Sequence, residues 1–201
     1  MKKLYGYSGE GFEYLKKVVV GGVGDHLPDS IQRLLDEEVL EPFGMSNTYF
    51  KRDPKLSERG ISGHLHLRPT VQEYGLWPGM AFSMHTNAQD FAPFAIALLE
   101  RKGLRPEQAE DMFSYHTLQP EENFMEGYKA GFGLGIALRD SPYGLVFGHG
   151  GNNGDFRCQF EVYDELKMGY IIFTNSSTGG PLNFDLFRFL VEGEGKQLSK
   201  E

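Results

Sequence analysis

The sequence predicts an α+β fold in which helices pack on one side of an antiparallel sheet. Apolar residues recur at helical spacing through the first half, and the period switches to alternation after residue 131. Turn residues then cut the second half into short strands ahead of one closing helix. With 201 residues, 40% of them hydrophobic, the chain suits a single domain. Residues 1–130 are expected to be mainly helical with a long loop, and 131–201 an antiparallel meander with a C-terminal helix.

The first helix follows from Phe12, Leu15, Val18 and Val19, and is stopped by Gly21, Gly22 and Gly24. A second starts near Pro28, which suits a first helical turn, and carries Ile31, Leu34, Leu35 and Val39 until Pro42 and Gly44. Residues 51–80 lack periodicity and read as an irregular excursion, with one short strand over His64, Leu65, His66 and Leu67. Thr86-Asn87-Ala88-Gln89 reads as a capping box, followed by Phe91, Phe94, Ala95, Leu98 and Leu99 on one helical face. A shorter helix is predicted from Pro106 to about His116. Phe132, Leu134, Ile136 and Leu138 alternate with Gly131, Gly133 and Gly135, which predicts a strand. Three more strands, LVFGHG, FRCQFEVY and YIIFTN, alternate with the turns DSPYG, NNGD and DELKMG, and Leu182 to Val191 closes the chain as a helix. Such a meander leaves two sheet edges open, and an open edge invites another strand.

Charge narrows the partners. Asp and Glu exceed Lys and Arg by 28 to 20, a net charge of -8, which repels phosphate backbones and anionic lipid. Nucleic acid and membrane are therefore not expected partners. No apolar core of a signal peptide follows Lys2 and Lys3, so the chain as given is expected to be cytoplasmic. Cys158 is the only cysteine, which excludes an intrachain disulfide and a thiol zinc knuckle.

The stretch FGHGGNNGDF places His149 among four glycines. One reading is a hairpin whose glycines and asparagines supply positive φ; the other is a wall bare of side chains beside an ionisable ring. Tyr7 has two readings as well, an aromatic packed on the first helix or a reactive phenol. His64 and His66 form an H-x-H pair with no third metal ligand in view, so an exposed pair is the better reading and no metal is assigned. Cys158 has no identifiable base and reads as a structural thiol.

Four segments, taken in order, resemble the serine hydrolases that include class C β-lactamases, DD-peptidases and related esterases. YGYSGEGFEYL resembles that family's Y-S-N or Y-S-G box, and LDEEVLEPFGMSNTYF its segment with the motif PLGM. MAFSMHTNAQDFAPFAIALL resembles its GGL-x-S-T stretch, and FGHGGNNGDFRCQF its K-T-G or H-x-G box. The resemblance implies a β-lactamase/transpeptidase-like fold, incomplete at the N-terminus, and an acyl-enzyme mechanism on a small-molecule ester, amide or peptide. It implies that Tyr7 shuttles protons, which a phenol does near neutrality only when cations hold its pKa well below ~10. It also implies that His149 bonds Tyr7 or a substrate carboxylate, that Gly9, Gly150 and Gly151 border the substrate, and that the Asn152 N–H is an oxyanion donor. No cofactor is implied.

Two departures matter. Gly9 stands where β-lactamases carry an asparagine that contacts substrate, which leans toward an esterase or peptidase. The family's nucleophile is the serine of S-x-x-K, and none of the eleven serines here has lysine three residues on. The expectation is a nucleophile outside this chain, with a non-catalytic, ligand-binding remnant as the alternative. A homo-oligomer through the exposed sheet edge is expected with it.

Overall fold

The structure is a computed structural model that describes residues 6–22 and 30–193. The predicted landmarks Gly24 and Pro28 and the tail after residue 193 lie outside the described residues.

Helix α1 spans Gly9–Gly22, and α2 spans Ser30–Leu35. The second predicted helix then widens into a π-turn over Asp36–Leu40. Glu41 N–H donates to Asp36 O at 2.9 Å and Met45 N–H to Leu40 O at 2.8 Å, and this wider winding turns Leu40 and Met45 into the core. The region expected to be irregular contains a helix, α3 at Pro54–Arg59, capped by the Asp53 carboxylate on Lys55 N–H with Pro54 in the first turn. The strand expected over 64–67 is a miniature hairpin instead. Its strands β1, His64–Leu65, and β2, Arg68–Pro69, are joined through His66 and Leu67, both at positive φ.

Helix α4 spans Ala88–Leu99. Its cap is Asn87, whose side chain accepts Asp90 N–H at 2.9 Å, and not Thr86, whose hydroxyl pairs with that of Thr48 at 2.8 Å. Helix α5, Pro106–Met112, stops before His116 because His116 N–H is taken by Phe132 O at 2.9 Å, which draws the chain into the sheet.

Six strands form an antiparallel meander in sequence order: β3 Thr117–Leu118, β4 Ala130–Phe132, β5 Ala137–Ser141, β6 Gly144–Asn152, β7 Arg157–Tyr163 and β8 Met168–Thr174. The sheet thus begins at Thr117, ahead of residue 131. The single strand predicted through Phe132 and Leu138 is a hairpin, closed by Gly133 N–H on Ile136 O at 2.9 Å with Gly135 at φ +75°. Leu134 consequently projects outward at the tip, while Ile136 and Leu138 stay buried.

Alternation sorts the sheet's two faces. Ile136, Leu138, Phe147, Phe160 and Val162 meet Phe91, Ala95 and Leu98 of α4, with Leu40 and Met45 beside them. On the opposite face Val146, Tyr163 and Tyr170 meet Leu186 and Phe187 of α6, which spans Leu182–Leu190. Helices therefore cover both faces and not one side as expected, because each face carries its own set of apolar residues. Among the described residues no helix is long and apolar enough to cross a membrane.

Candidate functional site

Tyr7 precedes α1 directly. Ser8 Oγ accepts Gly11 N–H at 3.2 Å, which turns the chain into the helix and leaves Tyr7 at its mouth. No residue of α1 is buried; it lies against α2 and makes polar contacts with residues 78–83. Lys16 donates to Pro78 O at 2.9 Å and pairs with Glu13 at 2.6 Å, while Glu13 accepts Met80 N–H at 2.5 Å. The Lys16 contact, ahead of the backbone N–H groups, holds the Glu13 carboxyl below its ordinary value. Ala81 also crowds the Gly9 backbone, where an added Cβ would lie 3.2 Å away.

The same segment holds the opposite wall. Phe82 O accepts Asn153 Nδ2 at 3.2 Å, tying residues 78–83 to the β6–β7 turn. Asp155 in that turn accepts the Thr70 hydroxyl and its main-chain O accepts His64 N–H, so the excursion over residues 60–85 braces the turn. Part of the region that looked structureless is a strut between the two walls of a cleft.

The cleft encloses about 310 Å³ between the start of α1, the β4–β5 hairpin and β6. Three of its rings form a triangle: Tyr7 to His149 at 6.1 Å, Tyr7 to Phe132 at 6.2 Å and Phe132 to His149 at 6.5 Å between centroids. Phe12 and Leu15 of α1 and Thr117 of β3 complete the apolar side. The structure thus brings Tyr7 and His149 together as the sequence suggested, with rings tilted by 40°. His149 Nδ1 lies 2.8 Å from Gly150 O. A carbonyl only accepts, so Nδ1 carries a proton there.

Gly150, Gly151 and Asn152 follow His149 along β6. On the β5 side pairing ends at Gly148, opposite Ala137, whereas β7 continues alongside as far as Asn152. Among the described residues, His149 to Asn152 therefore have a strand on one side only, an edge of unpaired main chain beside the cleft. The glycines here have another requirement. A Cβ on Gly151 would stand 2.5 Å from Cys158 Sγ, and one on Gly150 2.3 Å from Gln159 Oε1, so both make room for side chains of β7. The Asn152 side chain accepts Gly154 N–H at 3.0 Å and closes the turn.

Cys158 is half-buried, and burial pushes its thiol above the ordinary value, as expected of a structural group. His64 Nδ1 sits 3.1 Å from Asn175 O and His66 lies in the tight turn. No group of three or more His, Cys, Asp or Glu among the described residues is placed to hold a metal. Ser114, His116 and Asp111 meet at the C-terminal end of α5, but the serine at 3.5 Å and the carboxylate at 3.2 Å face the same Nε2, which cannot relay a proton between them. Sequence reading missed Phe132 as a cleft wall and Glu13, Lys16 and Asn153 as its struts; the glycine cluster at 131–135 was the available signal for the first.

A family model described as Beta-lactamase matches residues 2–193. A human protein described as beta-lactamase-like 1 is 34% identical over 87 residues, 41% of this chain and 17% of that protein. The octameric penicillin-binding protein homologue from Pyrococcus abyssi superposes with a TM-score of 0.77 at 22% identity, covering 95% of this chain and 43% of that one. A D-stereospecific amidohydrolase from Streptomyces sp. gives 0.70 at 19% identity, covering 92% and 55%. The chain thus spans less than two thirds of the length of each relative.

Proposed function

The chain belongs to the beta-lactamase family, and from that premise we propose that its cleft serves acyl transfer at an ester, amide or peptide bond through an acyl-serine intermediate. The observation that carries the reading is the meeting of Tyr7 and His149 across one cleft at 6.1 Å, from elements 142 positions apart in the chain (149 − 7). Tyr7 passes the proton between nucleophile and leaving group, and His149 bonds the phenol or a substrate carboxylate. The open edge of β6 supports main-chain pairing with an extended substrate beside Gly150 and Gly151, with Gly9 flanking the entry and Asn152 N–H facing the developing oxyanion. Since no serine precedes lysine by three residues, the reading takes the nucleophile from outside these 201 residues. A small-molecule amide substrate agrees with the amidohydrolase likeness, and a chain without the Gly9-position amide fits an esterase or peptidase better than a β-lactamase.

The test is hydrolysis of a p-nitrophenyl ester by the chain supplied with an S-x-x-K segment. Tyr7→Phe should lower kcat by about 10²–10⁴-fold; unchanged activity removes Tyr7 from the mechanism. The missing S-x-x-K also favours a second reading, a ligand-binding domain without chemistry. Stoichiometric labelling of one serine of the 201-residue chain by a fluorophosphonate would overturn it. Self-association belongs to the first reading, because Tyr14, Trp77 and Phe82 are 70%, 60% and 67% exposed and, among the described residues, β3 and β8 are the outer strands of the sheet. A sedimentation profile of one monomeric species would remove it.

A further inference from the structure

We propose that Glu13 is a positioning residue: through the strut of residues 78–83, whose far end Asn153 holds, it sets the distance between Tyr7 and His149 without lining the cleft. The effect on turnover rests on the reading of the cleft as an acyl-transfer site, whereas the effect on the Tyr7 to His149 distance does not.

The pose of α1 decides where Tyr7 stands, and the contacts of α1 with residues 78–83 gather on one side chain. Glu13 Oε1 accepts Met80 N–H at 2.5 Å, while Oε2 pairs with Lys16 at 2.6 Å. Lys16 in turn donates to Pro78 O at 2.9 Å, so a single carboxylate governs two main-chain points of the strut. Bonds to an ionised group of this kind are shorter and stronger than neutral ones. Gly79 leaves room for the approach: a Cβ there would already press on Glu13 Oε1 at 3.3 Å. The strut itself is stiff. Pro78 is among the least exposed side chains, and the Ser83 hydroxyl accepts Gly79 N–H at 2.8 Å and donates to Gly79 O at 2.5 Å, closing a tight turn. At the far end Phe82 O accepts Asn153 Nδ2 at 3.2 Å, one residue past the strand that carries His149. The segment therefore links the helix behind Tyr7 to the strand of His149, although Glu13, Lys16 and residues 78–83 are not among the residues lining the cleft. A misplacement of about 1 Å caused at a distance lowers a rate about a hundredfold, so this link controls the cleft from outside it.

The test is the NMR cross-relaxation between the Tyr7 and His149 rings, whose centroids lie 6.1 Å apart, measured on the whole 201-residue chain. Glu13→Ala should remove most of that cross-peak. Alanine is the best helix former, so helicity by circular dichroism should be unchanged and the loss is one of position. Glu13→Gln keeps an acceptor for Met80 N–H and should restore most of the cross-peak, and Lys17→Ala, an exposed charge on the same helix, should leave it intact. With an S-x-x-K segment supplied, Glu13→Ala should lower kcat for a p-nitrophenyl ester about tenfold to a hundredfold and move KM less than about twofold. Asn153→Ala should cost less, because Asp155 still holds the excursion through Thr70 and His64. The double variant should be no worse than Glu13→Ala, since both ends belong to one link. A full cross-peak in Glu13→Ala, an equal loss in Lys17→Ala, or a double variant whose kcat falls by the product of the single losses would overturn the proposal. If Tyr7→Phe leaves turnover unchanged while the cross-peak still follows Glu13, the acyl-transfer reading fails and the positioning of Tyr7 stands.

Discussion

Gly148 sits in the middle of β6, one residue before His149, with Ala137 on one side and Glu161 on the other. Replacing it by alanine builds a Cβ 2.0 Å from the main-chain O of Phe160, where real Cβ contacts fall below 3.0 Å essentially never. The obstructing atom is backbone, so no rotamer change relieves it; β6 and β7 must part by about 1 Å, across the best-buried part of the sheet. Overpacking of this kind costs about 1–3 kcal/mol. At about 2–4 °C per kcal/mol for a chain of this size, Gly148→Ala should lower Tm by about 2–12 °C, measured by calorimetry or circular dichroism. Because the displaced residue neighbours His149, the ester affinity should fall in the protein that remains folded. Gly180→Ala is the control, with nothing within 4 Å of its added Cβ, and should stay within about 0.5 kcal/mol of the parent. A Gly148→Ala protein that melts within about 1 °C of the parent would refute the argument from close strand approach.

Three further outcomes are expected. Asp90 is buried and accepts Asn47 N–H and the Thr48 hydroxyl, joining the segment after the π-turn to α4; Asp90→Ala should cost about 1.5–3 kcal/mol in urea titration, and a smaller loss would mean that water replaces the carboxylate. Arg101 pairs with Asp164 at 2.6 Å and lies 3.7 Å over the Phe113 ring, so Arg101→Ala should cost about 1–2 kcal/mol, most of it retained in high salt because both contacts are partly buried. Burial holds the His85 ring below its ordinary 6.5, edge-on to Tyr74 at 5.1 Å. The unfolded chain then binds the proton more readily, so this contribution is complete above 6.5 and is lost as pH falls through the folded value. Tm should therefore decline on acidification from neutrality, and His85→Phe should flatten the decline; equal slopes would remove His85 as its source.

Much of the architecture was legible because it rests on local rules. Phe91, Ala95 and Leu98 repeat at helical spacing and are buried on α4, and the turns at Tyr143, Gly154 and Lys167 separate β5 through β8 where the sequence placed them. The Tyr7 and His149 pair was also legible, through motifs instead of spacing, and the fold brings both to one cleft. The β4–β5 hairpin was not. Phe132, Leu134, Ile136 and Leu138 satisfy an alternating pattern perfectly well as one strand, and only Gly135 at positive φ, with the Met112 carbonyl pressed against Gly133, reverses the chain. Nor could pattern reveal the strut over residues 78–83, whose contacts with α1 and with the β6–β7 turn join positions more than 60 apart.

By itself, then, the sequence determined the α+β class, the antiparallel meander, the net negative charge that repels nucleic acid, and the two residues that face each other in the cleft. The first three follow from composition and from periodicities within a few residues, and the Tyr7 and His149 pair from the motifs of a family resemblance. Tertiary structure alone decided that helices cover both faces of the sheet, that Phe132 and Leu15 wall the cleft, and that Gly150 and Gly151 are needed for the side chains of β7. Each of these depends on which distant backbone comes within van der Waals reach, a quantity set by packing and not by any local pattern.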